Sequence, residues 1–228
     1  MTKLFAEPLG NILDGLYGLI GNYGVTLILF TLIFRLCIYP LYVFQMKSSA
    51  QMQALQPKMK EIQKKYANDR EEMNRLVAEL YKENKVNPAM GCLPLLIQMP
   101  ILLGLFALLR TPTEYITNPD MIMAVHESFL WIKDLSQPDL WILPIGAGIA
   151  TYLQQRLSMT LTPETAANTM MKTMLYLMPV LVVWWGRGFP AGLCLYWFVG
   201  TAFQVVMFIL TMGWRKRLKK SSESVELE

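Results

Sequence analysis

One residue in this chain places a charge where a charge is costly. Gly24 to Phe44, GVTLILFTLIFRLCIYPLYVF, is 21 residues of apolar sequence interrupted only by Arg35. As a helix it would span about 30 Å, the hydrocarbon thickness of a bilayer. An arginine at that depth costs about 2.5–3.5 kcal/mol on insertion scales, so it needs water, a partner or a purpose. With successive residues turned by about 100°, Thr31, Arg35, Tyr39, Tyr42 and Gln45 share one polar stripe, while Phe30, Phe34, Cys37 and Leu41 face elsewhere. Pro40 breaks the run, because it cannot donate to the carbonyl of Leu36. Chemistry open to such a stripe is attraction of anionic groups into an apolar layer. The plainer reading is an arginine held by a buried carbonyl or carboxylate. No Asp or Glu lies inside any apolar segment, which weakens the carboxylate version.

Other chemistry finds no residues to carry it. There is no phosphate-cradling glycine loop with a lysine, no metal-ligand spacing and no nucleophile–base pairing, so neither an enzyme nor a cofactor is expected. Cys37, Cys92 and Cys194 sit in apolar runs at unrelated spacings and read as small core residues. His126, the one histidine, lies in a polar loop. Hydrophobic residues make up 54% of the chain and charged ones 17%, and the charges cluster between long uncharged runs. That pattern is an all-α, polytopic membrane protein.

The elements that must position Arg35 follow in order. Residues 1–23 read as an interfacial amphipathic helix, with Leu9, Ile12, Leu13 and Leu16 at helical spacing and Pro8 suited to a first turn. A short buried helix is the alternative. Interrupted by Glu7, Asn11 and Asp14 and lacking a basic leader, this segment does not read as a cleavable signal peptide. The first span is 24–45. Residues 46–88 hold nine basic and six acidic residues and a seam of Met52, Leu55, Met59, Ile62 and Tyr66, repeated by Met73, Leu76 or Val77, and Leu80. They predict a helical hairpin turning at Asn68-Asp69, with Asn68 capping the second helix and Glu71 at N3. Its basic faces suit either a solvated connector or a dock for a polyanion or an emerging chain.

Residues 89–110 form a second span broken by Pro94 and Pro100 and carrying Gln98, and 111–139 form an acidic loop. A third span, 140–157, ends in Thr151, Gln154, Gln155 and Arg156; a connecting loop, 158–172, follows. The fourth span is 173–187, the fifth 188–214, and 215–228 is a basic tail. With the hairpin inside, sixteen basic residues fall on the inner side and four on the outer. The positive-inside rule then sets the N-terminus out and the C-terminus in, with 1–23 outside and the hairpin, 158–172 and the tail cytoplasmic.

Two features bear on mechanism. The uncharged cores of the third and fourth spans, Leu140–Gln155 and Thr173–Gly186, are shorter than the roughly 20 residues a bilayer asks for, so local thinning is expected. Several spans also carry polar groups at one depth: Gln98, then Thr151 with Gln154 or Gln155, then Trp197, Thr201 and Gln204. Such amides commonly join helices, but beside an unpaired arginine they suggest a polar cavity entered from the inside.

Phe189-Pro190-Ala191-Gly192-Leu193-Cys194-Leu195-Tyr196-Trp197 closely resembles the FPAGLxLYW signature of the YidC/Oxa family of membrane-protein insertases. The first span, with its single arginine followed by Pro40-Leu41 and Lys47, is similar to that family's first core span. Gly91-Cys92-Leu93-Pro94 and Gln98-Met99-Pro100-Ile101 look like its second. After the signature, where the family often has Ser-Asn or Gly-Asn, this chain has Gly200-Thr201. The likeness is to a short bacterial-type member, without the large extracytoplasmic domain some members carry.

The resemblance implies an insertase and chaperone of the bacterial plasma membrane with a hydrophilic groove open to cytosol and lipid. Arg35 would be its centre, with Gln155 or Gln154 and Trp197 lining it. Thr31, Gln98, Tyr196 and Gln204 complete the candidate groove residues. Implied partners are nascent membrane proteins and the lipid bilayer, with the Sec translocon and ribosome as further ones; no small-molecule substrate is implied. Met159, Met170, Met171, Met174 and Met178 read either as adaptable contacts for an emerging helix or as ordinary core. The rival expectation is a small anion channel or carrier using Arg35 as a cationic site.

Overall fold

The structure, a computed structural model, describes residues 2–84, 86–87, 93–116, 118–160 and 169–225, and over 212–225 the backbone alone. Cys92 and the side chains of Gln45, Lys47, Met52, Pro94, Met170 and Met171 lie outside the described set. The helices in chain order are α1 (Thr2–Ile20), α2 (Tyr23–Cys37), α3 (Tyr39–Ala54), α4 (Gln56–Lys65), α5 (Arg70–Glu83) and α6 (Leu93–Arg110). Then come α7 (Pro119–Ala124), α8 (Ile142–Thr160), α9 (Thr169–Gly186) and α10 (Ala191–Val225). The described residues hold no strand, only the isolated bridges Phe129–Ile132 and Pro138–Pro190.

Helix α10 is the axis of the bundle, packing on α8 and α2; α9 lies against α8, and α1 lies on α6 and α2. At 35 residues α10 runs far past its apolar part, Ala191–Thr211, which is the one described helix long and apolar enough to cross a membrane. The apolar helices Tyr23–Cys37, Gln98–Arg110 and Thr173–Gly186 are shorter.

Pro40 has the effect its chemistry demands. Ile38 closes α2 by donating to the Phe34 carbonyl, and α3 begins at the next residue. Helix α3 then runs without interruption to Ala54, joining the end of the apolar segment to the start of the hairpin, whose first arm goes on as α4. The hairpin has its own small core of Leu55, Leu80 and Val86, flanked by Met59, Ile62 and Tyr81, whose hydroxyl reaches Met59 Sδ at 2.8 Å. Its turn differs by one residue from the sequence expectation. Asp69, not Asn68, caps α5, accepting from the Glu72 amide at 3.0 Å, so Glu72 and not Glu71 occupies N3. Both residues suit a cap, and the charged carboxylate gains more from the helix N-terminus.

The opposite end is filled by segment 111–139. Ile116, Met121, Ala124, Val125, Ile132 and Leu135 join one core with Leu13 of α1, Tyr23 and Leu27 of α2, Leu105, Leu108 and Leu109 of α6, and Leu193 of α10. Polar bonds fix this plug. Glu127 accepts from the Tyr17 hydroxyl and from the Tyr23 amide, the latter at 2.8 Å. That bond to Glu127, with burial, pushes the Tyr17 phenol up to about 12, so it stays a donor. Asn118 donates to Asp14 at 2.7 Å.

The first amides of α10 are satisfied by the same segment: Ala191 donates to the Gln137 carbonyl and Gly192 to that of Leu135, each at 2.8 Å. The Phe189–Trp197 signature therefore begins as a joint between a helix N-terminus and this plug. Gly24 gives Phe129 its seat, since a Cβ there would stand 2.2 Å from the ring.

Asp139 caps α8 by accepting from the amides of Leu143 at 2.9 Å and Trp141 at 3.3 Å. Partial burial raises its carboxyl, but these bonds and one from the Trp131 indole outweigh it, holding the group below the usual carboxylate range. Asp134 is likewise depressed, its burial outweighed by bonds from Ser136 and His126.

Two outcomes follow. Gly24→Ala should destabilise the protein by about 1–3 kcal/mol through overpacking, and should cost nothing in a Phe129→Ala background; thermal midpoints in detergent measure both. Because the folded Asp139 carboxyl ionises below its unfolded value, its contribution is complete above the ordinary range and is lost as pH falls through the folded value. The midpoint should therefore drop on acidification below about pH 4, and Asp139→Asn should flatten part of that drop while lowering the midpoint at neutral pH.

Candidate functional site

Arg35 sits one turn before the α2–α3 break and is buried, 8% exposed. Its Nη2 donates to Gln98 Oε1 of α6 at 3.2 Å, and Gln98 Nε2 donates to the Tyr196 hydroxyl of α10 at 3.1 Å. The guanidinium carbon also lies 5.8 Å from the centre of the Tyr196 ring, within cation–π range. Three helices thus converge on one charge, and no carboxylate takes part among the described contacts. Of the readings open from the sequence, the geometry matches an arginine held by a carbonyl, that of an amide side chain.

Room for the guanidinium comes from Gly200. A Cβ at that position would stand 2.7 Å from Nη2 and 2.8 Å from Nε, so any side chain there would force the guanidinium to shift from its present position. Nε itself is buried without a hydrogen-bond partner among the described residues. The guanidinium therefore has donors left over after Gln98.

Beside Arg35, towards the hairpin end, lies a cleft lined by Ile38, Tyr39, Tyr42, Phe203, Gln204 and Met207. Its cavity volume is about 10 Å³, room for about one water molecule, and part of it is open to the surroundings. Tyr39 shares a 2.6 Å hydrogen bond with Thr211, and the Gln154 amide bonds to Gln204, joining α8 to α10. Of the two candidate glutamines, Gln154 is the one that reaches this wall; Gln155 is half-buried and, like half-buried Trp197, does not line the cleft.

The expected hydroxyl stripe has another use. Thr31, Thr151 and Thr201, like Thr211, which the sequence did not single out, each donate to the carbonyl four residues earlier on their own helix, at 2.6 to 2.8 Å. That is how a hydroxyl is satisfied where water is scarce. Thr31 is fully buried, and its hydroxyl is turned to Leu27.

Sequence reasoning singled out Arg35, Gln98 and Tyr196, and these are the three that meet. It left out Gly200, Phe203 and Met207. The signal was present: Gly200, Phe203, Gln204 and Met207 follow Tyr196 at helical spacing and so share its face.

Comparison with known proteins decides the lineage. Residues 15–219 match the 60Kd inner membrane protein family. This chain belongs to that family, the family of YidC. The membrane protein insertase MisCA of Bacillus subtilis is 40% identical over 229 residues, covering 97% of this chain and 82% of that one. The membrane protein insertase YidC of Oceanobacillus iheyensis is 40% identical over 219 residues, covering 92% and 82%. For membrane protein insertase YidC 2 of Listeria innocua the identity is 43% over 195 residues; the match covers 83% of this chain and spans only 64% of that relative's length.

The fold is similar to that of a crystal structure of an active YidC insertase with its first transmembrane domain resolved. The TM-score is 0.66 and the identity 32%, over 88% of this chain and 44% of that one. Membership of the YidC family makes this a bacterial membrane protein with an all-helical fold. The site's own energetics are testable on stability alone. Gln98→Leu should cost about 1.5–3 kcal/mol, because it strands a buried charged donor. Adding Arg35→Met should recover most of that loss, and a double-mutant cycle read by thermal midpoint gives the coupling.

Proposed function

We propose that this chain is a membrane protein insertase, receiving nascent membrane proteins through a polar groove centred on Arg35. The observation that carries the reading is a buried guanidinium with donors to spare, facing a cleft on the hairpin side while the loop end is filled by packed side chains. A cavity open on one side and plugged on the other suits a substrate that enters and leaves sideways, and argues against a continuous pore for anions. The YidC and MisCA relatives, named as insertases, support the same reading.

In this reading α2 with the start of α3, α6, α8, α9 and α10 are the five spans, and α1 lies at the outer interface. Sixteen basic residues against four support a cytoplasmic hairpin and tail, N-out and C-in, in the plasma membrane. Groove water reaches Arg35 from that side. The short apolar run Thr173–Gly186 of the fourth span thins the bilayer around the groove, so a hydrophilic segment has less hydrocarbon to cross. Arg35 draws acidic residues of that segment inward. The emerging apolar helix leaves along the exposed face of α9, where Met174, Leu177 and Val180 offer adaptable contacts. Ribosomes and the Sec translocon are partners of the cytoplasmic and lateral faces respectively.

The test uses two single-span substrates, acidic or neutral in the translocated tail, inserted by each variant in reconstituted vesicles. Arg35→Lys should retain much of the activity, because a long cationic side chain still reaches the cleft. Arg35→Ala should impair the acidic substrate and spare the neutral one. Equal loss on both substrates with Lys and Ala alike would overturn a role for the charge.

A further inference from the structure

The turn at Phe129–Ile132 is built in two directions. Phe129 and Ile132 bond to each other's backbone at 2.8 and 2.9 Å and point inward, the first into its seat on Gly24 and the second into the core. Between them Leu130 and Trp131 project outward, 74% and 49% exposed. Leu130 has φ 54°, the left-handed region, and is the one non-glycine residue there among the described residues. A leucine in that conformation is strained where a glycine or asparagine would be relaxed. A strained backbone that presents an apolar side chain to the surroundings asks for an occupant that rewards it.

We propose that this turn is a bilayer-interface anchor, inserting Leu130 and Trp131 into the lipid headgroup layer at the loop end of the bundle. The proposal rests on reading the bundle as membrane-spanning. The tip's height is fixed by Trp131 Nε1, which donates to Asp139 Oδ2 at 3.2 Å, the same oxygen that caps α8 through the Leu143 amide. The indole is therefore tied to the first turn of a span.

Trp141 on that turn carries the Arg187 guanidinium 4.4 Å above its ring, and Trp184 and Trp185 close α9 at the same end. All three tryptophans are at least half exposed. With Trp131 they make four of the chain's six tryptophans. Indoles gathered at one level, with a cation among them, have the chemistry of a membrane interface: an apolar ring for the acyl boundary and a positive group for phosphate. The loop tip continues that ring although it belongs to no span. Lys133, exposed two residues on, adds a second cation.

The test uses the full chain in vesicles of phosphatidylethanolamine and phosphatidylglycerol. Leu130→Cys, in a Cys37→Ser, Cys92→Ser background, carries an environment-sensitive fluorophore. The expected result is blue-shifted emission quenched several-fold more by lipids bearing a shallow nitroxide than by aqueous iodide. A label at exposed Gln137 of the same segment should show the reverse. As an independent measure without a label, the difference emission between the parent chain and Trp131→Phe should be blue-shifted and lipid-quenched.

A label at Leu177 on α9 separates the failures. If Leu177 senses deep nitroxides while Leu130 is open to iodide, the anchor is wrong and the membrane reading stands. If both are open to iodide, both fall. If Leu130 is shielded in native membranes but open to iodide in lipid vesicles, a protein covers the turn, and the proposal is overturned.

Discussion

A guanidinium inside an apolar bundle sets the terms for everything packed around it. Arg35 cannot shed its charge, and no span offers it an acid. The remaining means of holding it are neutral dipoles, a ring face and space, and the bundle supplies one of each. Gln98 lends its carbonyl, Tyr196 its ring, and Gly200 the absence of a side chain. Gln98 also spends its amide on the Tyr196 hydroxyl, so the acceptor is oriented by the same residue whose ring faces the cation. An acid in place of Gln98 would neutralise the site. An amide stabilises the charge without cancelling it, and the site keeps a net positive field.

That arrangement needs three helices held in fixed register, which the loop end provides. Between apolar helices in lipid there is little hydrophobic drive to associate, so packing and polar bonds must supply it. Segment 111–139 concentrates such bonds: Glu127 on α1 and α2, Asn118 on α1, Asp139 on α8, and the carbonyls of Leu135 and Gln137 on α10. Four helices are thus fastened at one end. Towards the other, the described cross-helix bonds include Gln154 to Gln204 and Tyr39 to Thr211, each with one partner lining the cleft.

How far this could be read from the chain depended on whether a residue's partner was local. Arg35 stood out because its cost is set by its own surroundings, Gln98 because amides in apolar runs are rare, and Tyr196 only through the Phe189–Trp197 resemblance. The hairpin seam was legible from its spacing, for Leu55, Met59, Ile62 and Leu80 all join its core. The cap was not, since Asn68 and Asp69 are both acceptable and only the folded turn chooses. The threonines' own-helix bonds were not legible, since a hydroxyl bonded to its own helix and one facing water have the same periodicity. Gly200-Thr201 read as a departure from a motif, yet Gly200 has a plain steric use visible only once Arg35 is placed. The plug was least legible, because its acids look like any solvated loop until Glu127 finds a hydroxyl and a helix end more than a hundred residues away and Asp139 a helix start close by.

The position of Pro40 gives the fixed end and the free end a physical link. It lies five residues after Arg35, and the helix it interrupts resumes as α3, which supplies Tyr39 and Tyr42 to the cleft and then runs on into the hairpin. Without a continuous hydrogen-bond ladder at Ile38–Pro40, α3 can tilt while α2 stays fastened by Asn22, Glu127 and the core. Any load on the hairpin therefore reaches the cleft through two tyrosines before it reaches Arg35. The Tyr39–Thr211 bond is what such a tilt must first break, and the Gln154–Gln204 bond guards the neighbouring wall. Arg35 itself sits on the α2 side of the break, one turn before it, on the helix the loop end fastens.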